Sequence, residues 1–140
     1  MKLIPFLGFN GQTHEAMAFY AEALGGKVTS EMKYRDMPPS DGMPGCNEMP
    51  AETLDHVAHA QLEVGDAILM AADGPGAGND GATTINVDVE TAEEAERVFA
   101  ALAVGGTIHM PIAETFWALR WGMLQDRYGK PWMVNCMKQP

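Results

Sequence analysis

The chain has 140 residues, a length that suits one domain able to bury a core without disulfides or metal. Nineteen acidic against nine basic residues give a formal charge of −10 with no basic stripe, which argues against nucleic acid and anionic membrane surfaces as partners. No apolar run approaches the roughly 20 residues of a membrane span, and the N-terminal MKLIPFLGFNG lacks a signal-peptide core and cleavage pattern, so a cytoplasmic protein is expected.

Residues 2–9 predict an apolar strand, broken by Asn10-Gly11-Gln12. Ala16, Phe19, Tyr20 and Ala23 recur at helical spacing and predict a helix over 13–24 with those side chains buried. Gly25-Gly26 ends it. A strand over 27–34 follows, with Val28, Ser30, Met32 and Tyr34 expected on one face. Residues 35–54 are rich in Pro, Gly and Met and read as a long loop. Its Met37, Met43 and Met49 would line an adaptable apolar lid; the plainer reading is a surface excursion. Residues 55–64 and 67–72 predict a hairpin about Gly65-Asp66. His59, Gln61 and Glu63 would share one face of its first strand, and Ala58, Ala60, Leu62 and Val64 the other.

Residues 73–81, DGPGAGNDG, form a linker of turn formers. A strand over 83–89 leads to Thr91-Ala92-Glu93-Glu94, the pattern of a capping box. The helix after it carries Ala95, Val98, Phe99 and Leu102 on one face and ends at Gly105-Gly106. A strand over 107–112 precedes two aromatic-rich strands, 116–124 and 132–137, joined by a turn in which Asp126 would bond backbone amides ahead of Gly129.

The order strand, helix, three strands therefore occurs twice. The fold class is α+β: one domain over 1–140 made of two tandem β-α-β-β-β modules, about 1–73 and 83–138, with a linker over about 74–82. The halves align at an offset of 80 (Phe19 with Phe99, Gly25-Gly26 with Gly105-Gly106), falling to 64 toward the ends (Gly65 with Gly129, Met70 with Val134). Such modules would curve mixed sheets around a cup.

Ala18-Phe19-Tyr20, Leu24-Gly25-Gly26, His59-Ala60, Glu114-Thr115-Phe116-Trp117, Gly122, Asp126, Gly129, Pro131-Trp132-Met133 and Asn135 carry a resemblance over nearly the whole chain. The sequence is similar to the PhnB-like branch of the vicinal oxygen chelate superfamily, the glyoxalase/bleomycin resistance/dioxygenase fold. Tyr128 stands where that branch more often has Phe. The resemblance implies this fold and a homodimer rather than a particular reaction, although members have been labelled demethylubiquinone methyltransferase-like.

It also implies a place for a divalent ion, held in the superfamily by His, Gln or Glu from the first and last strands of each module. Here those strands offer Ile4 to Leu7, Ile68 to Ala71, Thr83 to Asn86 and Met133 to Asn135, so no metal site and no cofactor are expected. His59 is a candidate general base, Gln61 on the same strand face a candidate ligand-binding residue, and Glu114 a second acid or base; a structural histidine and a surface carboxylate are the bland alternatives. Phe116, Trp117 and Trp121 would stack on a planar ligand, and Arg120 would hold an anion beside them; otherwise they are core and solvated surface. The run Gly74-Pro75-Gly76-Ala77-Gly78 is followed by a strand, which argues against a nucleotide or S-adenosylmethionine loop. The expected function is binding of a small apolar or aromatic molecule without metal. The alternative is a lyase, isomerase or oxygenase of the same superfamily using His59 and Glu114 or an atypical metal site.

Overall fold

The computed structural model describes residues 1–37, 51–74 and 83–139. The chain divides into two compact units, Met1–Gly78 and Asn79–Pro140. Most of the Met-rich loop, with Met43 and Met49, and most of the linker lie outside the described residues.

The first unit holds β1 (Phe6–Phe9), α1 (Thr13–Leu24), β2 (Lys27–Lys33), β3 (Val57–Val64) and β4 (Ala67–Asp73). The sheet order is β1-β4-β3-β2, with β1 parallel to β4 and the other pairs antiparallel. β1 starts later than predicted, and Pro5 gives only its carbonyl to Met70 N, 3.0 Å away, because it has no N–H to pair. α1 has the predicted bounds, but its buried face is Thr13, Ala16, Met17, Tyr20 and Ala23, with Phe19 only half-buried. It covers the sheet face carrying Phe9, Ala60, Leu62 and Ala71, all buried. Each large side chain removed from water there contributes about 1.5–3 kcal/mol.

Asp73, read as linker, is the last residue of β4 and is buried. Its Oδ1 accepts from Gly11 N (2.9 Å), Thr13 N (3.1 Å) and Thr13 Oγ1 (2.7 Å), and its Oδ2 from Val57 N (2.8 Å). The carboxylate thus joins the start of α1, where amides lack helical partners and the dipole favours negative charge, to the start of β3.

The second unit holds β5 (Ile85–Asp88), α2 (Ala92–Ala103), β6 (Thr107–Ala113), β7 (Ala118–Gln125) and β8 (Pro131–Met137), in sheet order β5-β8-β7-β6. Thr91 caps α2 by accepting from Glu94 N at 3.1 Å. The return half of the capping box is not made, because the Glu94 carboxylate is bonded to Arg97 at 2.6 Å. Ala95, Val98, Phe99 and Leu102 are buried as predicted. Gly122 lets α2 close on β7: a Cβ there would lie 2.7 Å from Phe99 Cε2. β7 starts after its predicted position because Thr115 and Ala118 form a turn, Thr115 N bonding Ala118 O and Ala118 N bonding Thr115 Oγ1, each at 3.0 Å. In the last turn Asp126 accepts from Tyr128 N (2.8 Å), Lys130 N (3.0 Å) and the buried Trp132 indole N–H (2.8 Å).

The two units repeat each other in detail. Gly25 and Gly105 both follow a helix in the left-handed region, at φ 74° and 78°. Gly26 and Gly106 both press on the β-hairpin, so that an added Cβ would meet the Glu63 carbonyl oxygen in one unit and the Gln125 carbonyl oxygen in the other. β2 and β6 both carry a bulge at the same point. Val28 pairs with Leu62 but Ser30 with Gln61; Ile108 pairs with Leu124 but Met110 with Met123. Each bulge inserts one unopposed residue and switches which face the strand presents. Val28 therefore shares the helix side with Leu62, while Ser30 and Met32 face the other way, and Tyr34 has left the strand for a 3-10 turn (Tyr34–Asp36).

The ladders also correct the alignment of the last strands. Phe6 pairs with Met70, and its counterpart Asn86 pairs with Met133. Met70 therefore corresponds to Met133 and not to its neighbour Val134. A slip of one residue would have moved Met133 to the helix side.

Candidate functional site

Each sheet has a second face, turned away from its helix. In the first unit, cross-strand pairing sets Ser30, Gln61, Met70 and Phe6 in one row of that face, and Met32 beside His59 in the next. The Phe6 and His59 rings lie 6.4 Å apart, tilted by 48°. Among the described residues the His59 side chain makes no hydrogen bond, so nothing fixes its tautomer as an orienting carboxylate would. His59 and Gln61 share this face, as their spacing predicts.

The second unit fills the equivalent face differently. One row is Met110, Met123, Met133 and Asn86; the next sets Trp121 opposite Asn135 and Asn135 opposite Asp88. Trp117 leans over Asn135 and donates its indole N–H to Asn135 Oδ1 at 3.2 Å. Asn135 Nδ2 in turn donates to Asp88 Oδ1 at 3.0 Å. The Trp117 and Trp121 rings meet edge to face at 5.5 Å, and Phe116 meets Trp117 at 4.9 Å. Phe116 is 89% exposed, in the turn that leads into β7. Three methionines, three aromatic rings and one Asp–Asn–Trp chain thus occupy a single face. Phe116, Trp117 and Trp121 are brought together as their proximity in sequence suggests.

Two predicted site residues lie elsewhere. Arg120 points to the helix side, where its Nε bonds Glu96 of α2 at 2.9 Å, so it does not share the face of its neighbour Trp121. Adjacent strand residues point to opposite faces, and the close Arg120–Trp121 spacing concealed this. Glu114 is exposed and paired with Lys138 at 2.9 Å. The hydrogen bond and charge of Lys138, with a smaller effect of Arg120, hold its carboxyl below the usual carboxylate range. At neutral pH it is an ionised, solvated group and a poor proton donor. Glu114 and His59 belong to different units.

The divalent-ion site of the superfamily does not fit these residues. The faces of the first and last strands offer Phe6 and Met70 in one unit and Asn86, Asp88, Met133 and Asn135 in the other. Asp88 is the sole carboxylate in that set, and the Asn135 amide is already engaged at both ends. Among the described residues no group of three or more His, Cys, Asp or Glu side chains is placed to hold a metal ion. One amide at the start of each helix is taken by the chain's own side chain, Thr13 N by Asp73 and Glu94 N by Thr91.

Comparison with known proteins gives this face its family context. The family model described as 3-demethylubiquinone-9 3-methyltransferase matches residues 1–135. The chain belongs to this family. It is 33% identical over 143 residues to protein YjdN of Escherichia coli (strain K12), covering 99% of this chain and 97% of that one. Among solved structures it is similar to protein PA1353 from Pseudomonas aeruginosa, with 39% identity, a TM-score of 0.84 and 99% of each chain covered. The PhnB protein from Bacillus cereus is 28% identical at a TM-score of 0.74, with 97% of this chain and 99% of that one covered. A glyoxalase/bleomycin resistance/dioxygenase family enzyme from Burkholderia phytofirmans, 16% identical at a TM-score of 0.60 with 96% of this chain and 97% of that one covered, shares the fold alone. This PhnB-like family therefore has the vicinal oxygen chelate fold, and the paired four-stranded sheets with one helix each are its architecture.

The residues that sequence reasoning missed are Asp88, the three methionines and Asp73. Alternation from Asn86 would have placed Asp88 on the same face as Asn86, so that signal was present. Pairing Met110, Met123 and Met133 required the bulge and the turn length, which no residue type announces.

Proposed function

We propose that the chain is a PhnB-like binding protein that holds a small aromatic or apolar molecule against the second unit's helix-free face, without a metal ion. The observation that supports this is the joining of Trp117, Trp121 and Phe116 to the Met110–Met123–Met133 row on one face. Tryptophan gives a large rigid contact surface, and thioethers adapt to irregular shapes. The enzyme alternative has less behind it, since His59 lacks an orienting partner among the described residues and Glu114 is held ionised by Lys138.

Burying about 150–250 Å² of an aromatic ligand gives roughly 4–6 kcal/mol at 25 cal/mol per Å². Association itself costs about 4 kcal/mol or more. Apolar contact alone therefore leaves little affinity, and the polar edge at Asp88 and Asn135 becomes decisive. Calorimetric titration with a panel of planar aromatics tests the proposal. At least one is expected to bind, and Trp121→Ala is expected to weaken it about tenfold or more, a loss of one stacking contact. No binding by any member, or full affinity in the Trp121→Ala protein, would refute it.

A further inference from the structure

The charge around this face narrows the ligand class further, and the inference rests on the binding role proposed above. Each Lys and Arg of residues 79–140 is engaged with another group or buried. Arg97 bonds Glu94 and Arg120 bonds Glu96, both on α2. Arg127 donates to the Val104 carbonyl at the end of α2, at 3.2 Å. Lys138 pairs with Glu114, and Lys130 is buried in the Asp126 turn. His109 sits at the exposed bulge of β6.

Asp88 is different. It is exposed, and among the described residues its carboxylate is bonded to one neutral amide, that of Asn135. That amide, bonded to both Asp88 and Trp117, holds the carboxylate at a fixed place on the far side of Asn135 from the tryptophans. Indole faces attract cations, and a carboxylate across Asn135 adds a direct counter-charge. An anionic ligand would meet an unneutralised carboxylate at the same edge.

We propose that the helix-free face of the second unit selects an organic cation: an aromatic amine whose ring lies on Trp121 and Trp117 and whose ammonium group is held by Asp88. Methionine thioethers of the neighbouring row would take the rest of the apolar body. Asp88 acts as the charge-reading residue, and Asn135 as the residue that positions it.

Three probes of one shape test this by calorimetry on the intact protein: 2-naphthylmethylamine, 2-naphthalenemethanol and 2-naphthoate. The amine is expected to bind about tenfold more tightly than the alcohol, with the carboxylate weakest. The preference should shrink at about 0.5 M salt, where screening is short-ranged. Asp88→Asn keeps an acceptor for Asn135, so the fold is retained, which circular dichroism checks. In that variant the amine's advantage over the alcohol should vanish, through an amine affinity about tenfold weaker. Equal affinity for all three probes, a preference for naphthoate, or an amine preference that survives Asp88→Asn overturns the inference and leaves the binding role standing. Binding of none of the three overturns the inference, while the wider aromatic panel decides the binding role separately.

Discussion

At the scale of single residues, two carboxylates show opposite designs. Asp73 is buried and satisfied by four donors, three of them backbone amides. Asp73→Ala would take this acceptor from the buried Thr13 and Val57 amides, and the expected cost is about 3 kcal/mol, read as a lower urea midpoint at unchanged slope. Thr13→Val removes one of the four bonds and should cost about 1 kcal/mol. If Asp73→Ala costs no more than Thr13→Val, the carboxylate is not the junction of α1 and β3. Glu114 is exposed, and its lowered pKa comes from Lys138. The sign follows from the direction: a carboxyl depressed in the folded state adds stability above its unfolded pKa of 4.5, and that stability is lost as pH falls through the lower folded value. Side-chain NMR titration of Glu114 should give a midpoint below 4.5 that moves upward in Lys138→Met. A midpoint at or above 4.5 in the parent protein would remove the ion pair from the account.

At the scale of elements, the duplicated glycines give the sharpest test of the repeat. A Cβ on Gly26 would lie 2.6 Å from the Glu63 carbonyl oxygen, and one on Gly106 would crowd the Gln125 carbonyl oxygen. Backbone cannot yield as a side-chain tip can, so Gly26→Ala and Gly106→Ala should each cost about 1–3 kcal/mol. Gly65→Ala meets nothing within 4 Å and bears only the strain of φ +57°, about 1 kcal/mol. Urea unfolding of the three variants should rank Gly65→Ala mildest. Both helices were legible because the buried residues recur at helical spacing over three turns and glycine pairs end them. The strands were legible as elements, and β3 also in which residues share a face, but the facing of β2 and of Arg120 on β7 was not. Thr29 and His109 mark the bulges only once the ladders are known, since an extra residue leaves no compositional trace. Five residues, 126–130, lie between the paired Gln125 and Pro131, while four, 64–67, lie between their counterparts Glu63 and Ile68. That difference in length shifted the true counterpart of Met70 to Met133. Asp73 was hidden because an aspartate leading a glycine-rich run looks like linker until its four donors are seen. The aromatic cluster was legible from the crowding of Phe116, Trp117 and Trp121, and its polar edge at Asp88 was not, because that residue lies far away in sequence and meets Asn135 only through the β5–β8 ladder.

At the scale of the whole molecule, charge rather than packing sets the response to solution conditions. The formal charge of −10 is self-repulsive in the folded state, where the carboxylates are held close together. The resolved ion pairs oppose this only weakly: Arg35–Asp55, Arg97–Glu94, Arg120–Glu96 and Lys138–Glu114 are all exposed. Exposed pairs contribute about 0–1 kcal/mol each, and they are separate contacts rather than a network. Added salt weakens both terms, but the repulsion acts among ten uncompensated charges, while each pair involves one contact. Raising ionic strength from about 0.01 M to 0.15 M shortens the screening length from roughly 30 Å to 8 Å, which removes most of the long-range repulsion and leaves contacts at 3 Å partly intact. The thermal midpoint at pH 7 should therefore rise with sodium chloride over this range. The rise should fade near pH 4.6, the isoelectric point, where net repulsion is gone and weakened pairs are all that salt can act on. Calorimetric scans at the two pH values check both halves of this expectation. A midpoint at pH 7 that falls with salt would mean that these exposed ion pairs do more to hold the fold together than their geometry allows.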